Sequence, residues 1–254
     1  METWAFAVGS GQLQPGAADR LGRFDLVVVD GQEARRRQVV AIRARGAIVL
    51  AYLSVGTIEP WRPWYRRARP YRLRDRFEEF GEWYAATSRR GYRRLIARRV
   101  APRILRKGFD GLFLDNTDMI ETHRRQARGM HRLARTLGRL VHARDGLLFT
   151  QNGFRTIGPS LGAYDGWNRE DVSRTYDFDH ERYQPVPAPG RRAARRELRR
   201  MGARGLFVTA SDYVARGDRS ATRAAVRVAC QAGALPFVTD IGIRRLPRRP
   251  YRCP

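Results

Sequence analysis

Lysine is almost absent from the chain, and acidic residues are half as common as basic ones. Lys107 is the only lysine, and 50 basic residues against 25 acidic ones give a formal net charge of +25. Such a charge invites a nucleic-acid interpretation. The arginines, however, lie along every predicted helix, and this spread is more typical of a genome-wide codon bias than of a binding stripe. We expect no nucleic-acid partner. A basic nucleic-acid-binding protein is kept as an alternative function, behind the two that the rest of the sequence suggests below.

The chain also has few cysteines and no long apolar run. Cys230 and Cys253 can form one disulfide at most, which excludes a disulfide framework. No apolar segment reaches the ~18 residues of a membrane-spanning helix, so no membrane association is expected. The opening residues METWAFAVGSGQ lack the basic start and long apolar stretch of a secretory signal. This favours a protein that stays inside the cell or one whose leader has been removed.

Eight short apolar runs are predicted to be β-strands. Most of them are continuous in hydrophobic residues, as expected for parallel strands that are covered on both faces. Helical patterns separate most of the runs, and alternating strands and helices favour parallel pairing. Eight such units in 254 residues predict one α/β domain, a (β/α)8 TIM barrel over residues 1–254. The predicted strands are 4–8, 25–30, 47–55, 111–115, 146–151, 164–168, 205–210 and 235–240.

An open doubly wound sheet is the alternative fold. It usually has a glycine-rich phosphate loop after its first strand, but only Gly9 and Gly11 follow the first run, and no helix comes directly after them. Two long connections, at about 56–87 and 169–190, follow predicted strands. A barrel carries its functional loops at that end of its strands, which favours the barrel.

The scarce acidic residues fall where the predicted strands end. In a barrel these positions converge on the C-terminal face, where enzymes of this fold carry their chemistry. Each residue could instead cap a following helix, and this is favoured for Asp118. For Asp30 and Asp212 two alternatives stay open, capping or loop structure on the one hand and substrate contact on the other. The whole set is the stronger signal, because Asp115 lies on a strand end itself and Glu170 is not a favoured cap. The set comprises Asp30, Glu59, Asp115, Asn152, Glu170, Asp212 and Asp240.

Paired carboxylates on one rim suit glycoside hydrolysis. One carboxyl protonates the leaving oxygen, while the other attacks the anomeric carbon (separation ~5–5.5 Å) or activates a water (~6.5–9.5 Å). No G-x-S-x-G elbow surrounds Ser54 or Ser211, and the histidines lack zinc-ligand spacing, so neither a serine hydrolase nor a metal or other cofactor is expected. Aromatic side chains that could stack on sugars lie in or beside the rim loops: Tyr52, Trp61, Trp64, Tyr65, Tyr176 and Trp167, for which a core position is favoured.

Several segments resemble the glycoside hydrolase family 114 superfamily, the endo-α-1,4-polygalactosaminidase-like barrels. AYLSVGTIEPWRPW (51–64) resembles its third-strand signature, and GFDGLFLDNTD (108–118) its fourth-strand block. The resemblance implies a (β/α)8 barrel that cleaves an α-linked, galactosamine-containing polysaccharide, commonly outside the cell and without a metal. Shorter blocks also resemble the family: QNG (151–153), YDGWNRED (164–171) at the glutamate-bearing sixth strand, DYV (212–214) and PFVTDIGIRRL (236–246).

By motif position, the resemblance implies that Asp115 and Glu170 are the catalytic pair. We assign Asp115 as nucleophile and Glu170 as general acid/base. The WNRED segment departs from the expected pattern through Arg169 and two adjacent acids. Strand alternation would point Glu170 and Asp171 oppositely, so Asp171 is an alternative second carboxylate. The candidate substrate-binding residues are Asp30, Tyr52, Glu59, Trp61, Asn152, Asp171, Asp212 and Asp240.

The charge of +25 should repel a cationic polymer such as deacetylated galactosaminan unless carboxylates at the rim create a local negative field. Screening over ~8 Å at physiological salt makes the rim matter more than distant helices. We predict an acidic pocket beneath a basic surface in a monomeric glycoside hydrolase that binds a polysaccharide or oligosaccharide. A catalytically silent carbohydrate-binding barrel is the alternative. The resemblance implies an extracellular or cell-surface location, while the missing signal sequence leaves the cytoplasm open.

Overall fold

Eight parallel strands form a nearly closed barrel in the computed structural model, which describes all residues, Met1–Pro254. Each strand pairs with its neighbour in sequence order. The first and last strands lie side by side, where the Trp4 indole N–H donates to the Leu235 carbonyl oxygen at 2.8 Å. The predicted single-domain TIM barrel is confirmed. Its strands, first to eighth, are Trp4–Ala7, Leu26–Asp30, Ile48–Ser54, Gly111–Asp115, Leu147–Gln151, Gly166–Glu170, Phe207–Tyr213 and Leu235–Thr239.

Helices surround the barrel, and their apolar faces bury its outer surface. In Ala127–His142, for example, Met130, Leu133, Leu137 and Val141 recur at spacings of three and four and are all buried. The α-helices are Ala17–Leu21, Arg36–Arg43, Tyr65–Ala68, Arg90–Leu95, Ala101–Leu105, Ala127–His142, Ala188–Ala203 and Arg219–Gln231; a π-helical turn spans Ile96–Val100, and 3₁₀ turns span Arg69–Tyr71, Glu78–Phe80, Thr117–Glu121, Arg124–Gln126 and Gly158–Ala163.

The two long connections both contain antiparallel strands. Residues 72–85, which we call the first arm, hold two strands of a three-stranded sheet, Arg72–Phe77 and Glu82–Ala85; its third strand is Thr57–Ile58. Residues 174–185, the second arm, form a hairpin. Both connections leave the carboxyl ends of barrel strands, so the arms rise from the face on which the acidic residues were predicted to converge. The hairpin strands are Arg174–Asp177 and Arg182–Pro185.

The two cysteines form one disulfide, the single bridge that the sequence allowed. Cys230 lies in the last helix and Cys253 in the C-terminal segment, with their Cα atoms 5.4 Å apart. The bond ties the C-terminal segment to the outside of the barrel. Separately, none of the helices combines the length and the hydropathy needed to cross a lipid bilayer.

Candidate active site

A cavity of about 200 Å³ lies at the carboxyl ends of the barrel strands. Four carboxyl groups line it, whereas two larger surface concavities of the protein contain a single carboxyl group between them, that of Glu33. The cavity therefore concentrates carboxyl groups within a strongly basic protein. Its polar lining consists of Glu82, Asp115, Asp118, Glu170, Tyr52, Asn116, Gln151, Asn152 and Tyr213, and its apolar lining of Phe6, Val8, Phe77, Phe80, Ile241 and Ile243.

Asp115 ends the fourth strand, and three donors hold its carboxylate. The Tyr52 hydroxyl donates to Oδ2 at 2.6 Å, and the Gln151 amide and the Asn116 backbone N–H donate to Oδ1 at 3.0 and 2.7 Å. Burial raises the pKa of Asp115, and these donors oppose that rise because each of them favours the charged form. These hydrogen bonds thus fix the orientation of the side chain.

Glu170 ends the sixth strand and faces the same cavity. The Tyr213 hydroxyl donates to Oε1, and the Asn152 amide donates to Oε2 at 3.0 Å. Burial first, and then the charges of Asp115 and Asp171, raise the pKa of Glu170 to about 8. A carboxyl group with that pKa is mostly protonated at neutral pH. Asp115 accepts hydrogen bonds from more donors than Glu170 does, although burial raises the pKa of Asp115 as well.

A buried polar chain positions the amides that hold the two carboxylates. The Asn168 side-chain amide donates to Gln151 Oε1 at 2.8 Å, and the Thr209 hydroxyl donates to Asn168 Oδ1 at 2.9 Å. The Trp167 indole N–H donates to the Asn152 backbone oxygen at 2.5 Å. Trp167 is fully buried, so the favoured core position of this residue is confirmed. Fully satisfied buried networks of this kind restrict side chains to one arrangement.

The residues that directly follow the fourth, fifth and sixth strands share an unusual backbone conformation. Asn116, Asn152 and Asp171 have φ angles of 56°, 54° and 52°. Asn and Asp tolerate this left-handed region better than other non-glycine residues, and such conformations concentrate at functional sites. The turn at each strand end directs Asn116 and Asn152 into the cavity lining. It also ends the strand alternation before Asp171, which lies outside that lining.

Two carboxyl groups of the cavity were not predicted as site residues. Glu82 comes from the first arm, accepts a hydrogen bond from Thr57 Oγ1 at 2.5 Å, and has a pKa raised by burial to about 8. Asp118 has a pKa raised by burial, and next by the charge of Asp115, to about 7. The interpretation of Asp118 as a helix cap is wrong, because the next α-helix begins at Ala127 without any side-chain cap.

Only Tyr52 and Asn152 of the predicted substrate-binding residues line the cavity. Three others are held in buried contacts beside it. Arg62 pairs with both Asp30 (2.7 Å) and Glu59 (2.5 Å to each oxygen), and all three side chains are buried. Asp212 accepts the backbone N–H of Ser173 at 2.8 Å, as well as its hydroxyl. Of the two alternatives for Asp30 and Asp212, these contacts favour loop structure.

The remaining predicted residues lie away from the cavity lining. Trp61 is 57% exposed on the surface. Asp240 accepts the backbone N–H of Arg244 at 3.0 Å, which fixes the loop after the eighth strand. Asp171 has one buried carboxylate oxygen without a hydrogen-bond partner. Among the predicted aromatics, Trp64 is buried in the core and Tyr176 packs on the second arm. No group of three or more His, Cys, Asp or Glu side chains is arranged to hold a metal ion.

Comparison with known proteins gives one family and several related folds. The profile of glycoside-hydrolase family GH114 matches residues 1–243. The glycoside hydrolase domain of PelA from Pseudomonas aeruginosa superposes with a TM-score of 0.81 at 22% identity, covering 96% of each chain. Ega3 from Aspergillus fumigatus, solved in complex with galactosamine, gives 0.74 at 16% identity, covering 99% of this chain and 95% of that one. The α-galactosidase TtGalA from Thermus thermophilus gives 0.57 at 16% identity, covering 94% and 57%. Curated sequences contain no match to this chain.

Proposed function

Because the chain belongs to glycoside-hydrolase family GH114, we propose that this glycoside hydrolase cleaves an α-linked, galactosamine-containing polysaccharide with Asp115 and Glu170 as its catalytic pair. The observation that carries this assignment is that both carboxyl groups face one cavity in contrasting environments. Asp115 accepts hydrogen bonds from three residues, whereas Glu170 has a pKa of about 8.

The proposed reaction retains the configuration of the anomeric carbon. Asp115 attacks that carbon as the glycosidic C–O bond breaks, and Glu170 gives its proton to the leaving oxygen. Water then attacks the glycosyl–Asp115 ester while Glu170 accepts the proton of the water, which frees the sugar and restores both carboxyl groups. The amides of Gln151 and Asn152 hold the two carboxylates in place throughout.

The acidic lining supports an amino sugar as substrate. Four carboxyl groups surround about 200 Å³, so an ammonium group inside this cavity lies within a few ångströms of several carboxyl oxygens. The excess of arginine on the outer helices acts over longer distances and is screened beyond ~8 Å. Ega3, which has the same fold, was solved with galactosamine, and this agrees with the predicted acidic pocket beneath a basic surface.

The test is hydrolysis of partly deacetylated α-1,4-galactosamine oligomers by the chain and by Asp115→Asn and Glu170→Gln. Each variant should lose activity by about 10²-fold or more, since acid–base assistance alone contributes that much. Asp240→Asn is the matched control, because it makes the same carboxyl-to-amide change outside the cavity. Proton NMR at early times should show the α-anomer as the first product. Full activity in either catalytic variant, or a first-formed β-anomer, would contradict the assignment.

Binding without cleavage is the alternative outcome of the same experiment. If the chain binds the oligomers in calorimetry but releases no reducing ends, then the catalytically silent barrel is the correct interpretation. We also propose that the protein acts as a monomer outside the cytosol, since the Cys230–Cys253 bond suits an oxidising compartment. A thiol assay on protein from the native source would test this, because two free thiols would argue for the cytosol.

A further inference from the structure

The two arms meet above the cavity through a pair of phenylalanines. Phe80 of the first arm and Phe178 of the second arm have ring centroids 5.7 Å apart, in an edge-to-face arrangement. Both are among the few large apolar side chains that are exposed, at 45% and 42%. Phe80 also lines the cavity. Phe80 therefore joins the cavity wall to the exposed surface, and Phe178 extends that surface onto the second arm.

Each arm is attached to the barrel independently of this pair. In the first arm, Asp75 lies 3.1 Å from the Nε2 atom of His123, and the ring of Tyr84 lies 4.3 Å from the same imidazole. In the second arm, the Tyr183 hydroxyl accepts the backbone N–H of Ile241 at 3.2 Å. The arms are thus held by polar contacts at their bases, and the phenylalanine contact joins them across the opening.

The size of the cavity requires a binding surface outside it. About 200 Å³ is smaller than the ~300–1,000 Å³ typical of ligand pockets, and it accommodates one sugar residue. A polysaccharide chain must therefore continue past the rim on at least one side of the cleaved bond. The exposed faces of Phe80 and Phe178 are the apolar surface available at that rim, and the apolar face of a pyranose ring packs well on an aromatic ring.

We propose that Phe80 and Phe178 form a sugar-stacking subsite at the mouth of the cavity, which binds the residue next to the one inside. This subsite selects chains over single sugars, because a monosaccharide derivative fills the cavity and leaves the subsite empty. The inference rests on the proposed function, since it needs the cavity to hold the sugar at which cleavage occurs. The proposed subsite supplies the residues that recognise the polymer, whereas the carboxyl groups recognise only the sugar inside the cavity.

The experiment compares Phe80→Ala and Phe178→Ala on two substrates, a galactosamine pentamer and α-galactosaminyl fluoride, whose leaving group is a single atom. Each variant should raise KM for the pentamer about tenfold, the ratio given by 1.4 kcal/mol of lost stacking. KM for the fluoride should change less than about twofold in Phe178→Ala, because Phe178 does not line the cavity. Phe80→Tyr keeps the ring and should restore the wild-type KM. Val40→Ala removes an exposed apolar side chain on an outer helix and serves as the control for a general surface effect.

The outcomes separate this inference from the proposed function. If the wild-type chain does not cleave the pentamer, the proposed function fails. If it does cleave the pentamer but the alanine variants match it, or if Phe178→Ala loses both substrates equally, then only the stacking subsite is refuted. Calorimetric binding of the pentamer to Glu170→Gln, with and without Phe178→Ala, provides a second readout that does not depend on turnover.

Discussion

Replacing Tyr213 by Phe should raise the pKa of Glu170 and move the alkaline limb of the pH–rate profile upward. The Tyr213 hydroxyl donates to Glu170 and acts against burial, which together with the charge of Asp115 raises that pKa to about 8. A hydrogen bond to a charged group contributes about 1.5–3 kcal/mol, and one pKa unit equals about 1.4 kcal/mol. Because Asn152 still donates to the other carboxylate oxygen, the lower end of this energy range applies. We therefore expect the pKa of Glu170 to rise by about one unit.

The direction of the shift follows from the proposed role of Glu170 as the general acid. A general acid works in its protonated form, so activity is lost as pH rises through its pKa. The alkaline limb of kcat/KM should therefore move from about pH 8 to about pH 9 in Tyr213→Phe. The assay is the initial rate on one oligomer between pH 5 and pH 10, with wild type and variant side by side, so that titration of the substrate amine affects both equally.

Tyr52→Phe is the matched control, because it removes the same phenol group from the other carboxylate. Tyr52 donates to Asp115, so its loss should raise the pKa of Asp115 and move the acid limb instead. An unchanged or lowered alkaline limb in Tyr213→Phe would refute the assignment of Glu170 as the acid. If Tyr213→Phe moved the acid limb, the roles of the two carboxyl groups would be exchanged.

Three further predictions concern stability. Arg62→Ala should lower the free energy of unfolding by about 3–5 kcal/mol, because it leaves Glu59 buried without its partner. Urea unfolding measures this loss, and Arg62→Lys should not restore the wild-type stability. Stability should fall as pH rises from about 5 to 8, because buried carboxyl groups with raised pKa values bind more protons in the folded state; Glu82→Gln should reduce this slope by up to about 1.4 kcal/mol per pH unit. Replacing Cys230 and Cys253 by Ser should cost about 3 kcal/mol, the loop-closure value for a separation of 23 residues.

Each of these has a contrary result. A loss below about 1 kcal/mol in Arg62→Ala would mean that the ion pair does not compensate buried charge. A stability that rises towards pH 8, or a slope unchanged in Glu82→Gln, would show that the buried carboxyl groups are ionised in the folded protein. A serine double variant as stable as the wild type in urea would show that the C-terminal segment packs in place without the bond.

The barrel could be predicted because its strands are continuous apolar runs, such as LVVVD at Leu26–Asp30 and GLFLD at Gly111–Asp115. Continuous burial is a property of the strand itself and is visible in the sequence. The first arm was missed as a sheet because RLRDRF at Arg72–Phe77 is polar and partly exposed, so it carries no signal of a buried strand. Glu82 was missed for the same reason, since it reaches the cavity only through that arm.

The site was predictable only where a side chain continues directly from a barrel strand. Asp115 and Glu170 end their strands, so the strand direction places them at the cavity. Asp30 also ends a strand, but Arg62 and backbone N–H groups engage its carboxylate, and such partners are set by tertiary contacts. The choice between Glu170 and Asp171 depended on a left-handed turn at Asp171, a conformation that neighbouring residues do not dictate.

The strand order also implies a sequence of events during synthesis. Each strand pairs with the one made just before it, so the fourth, fifth and sixth strands, which carry Asp115 and Glu170, can associate early. The seam between Trp4 and Leu235 joins groups 231 residues apart and must wait for nearly the whole chain. Ile241 and Ile243, which follow the eighth strand, complete the cavity wall. The two carboxyl groups proposed to be catalytic are thus brought together on an open sheet, and the enclosed cavity that raises their pKa values forms only when the barrel closes.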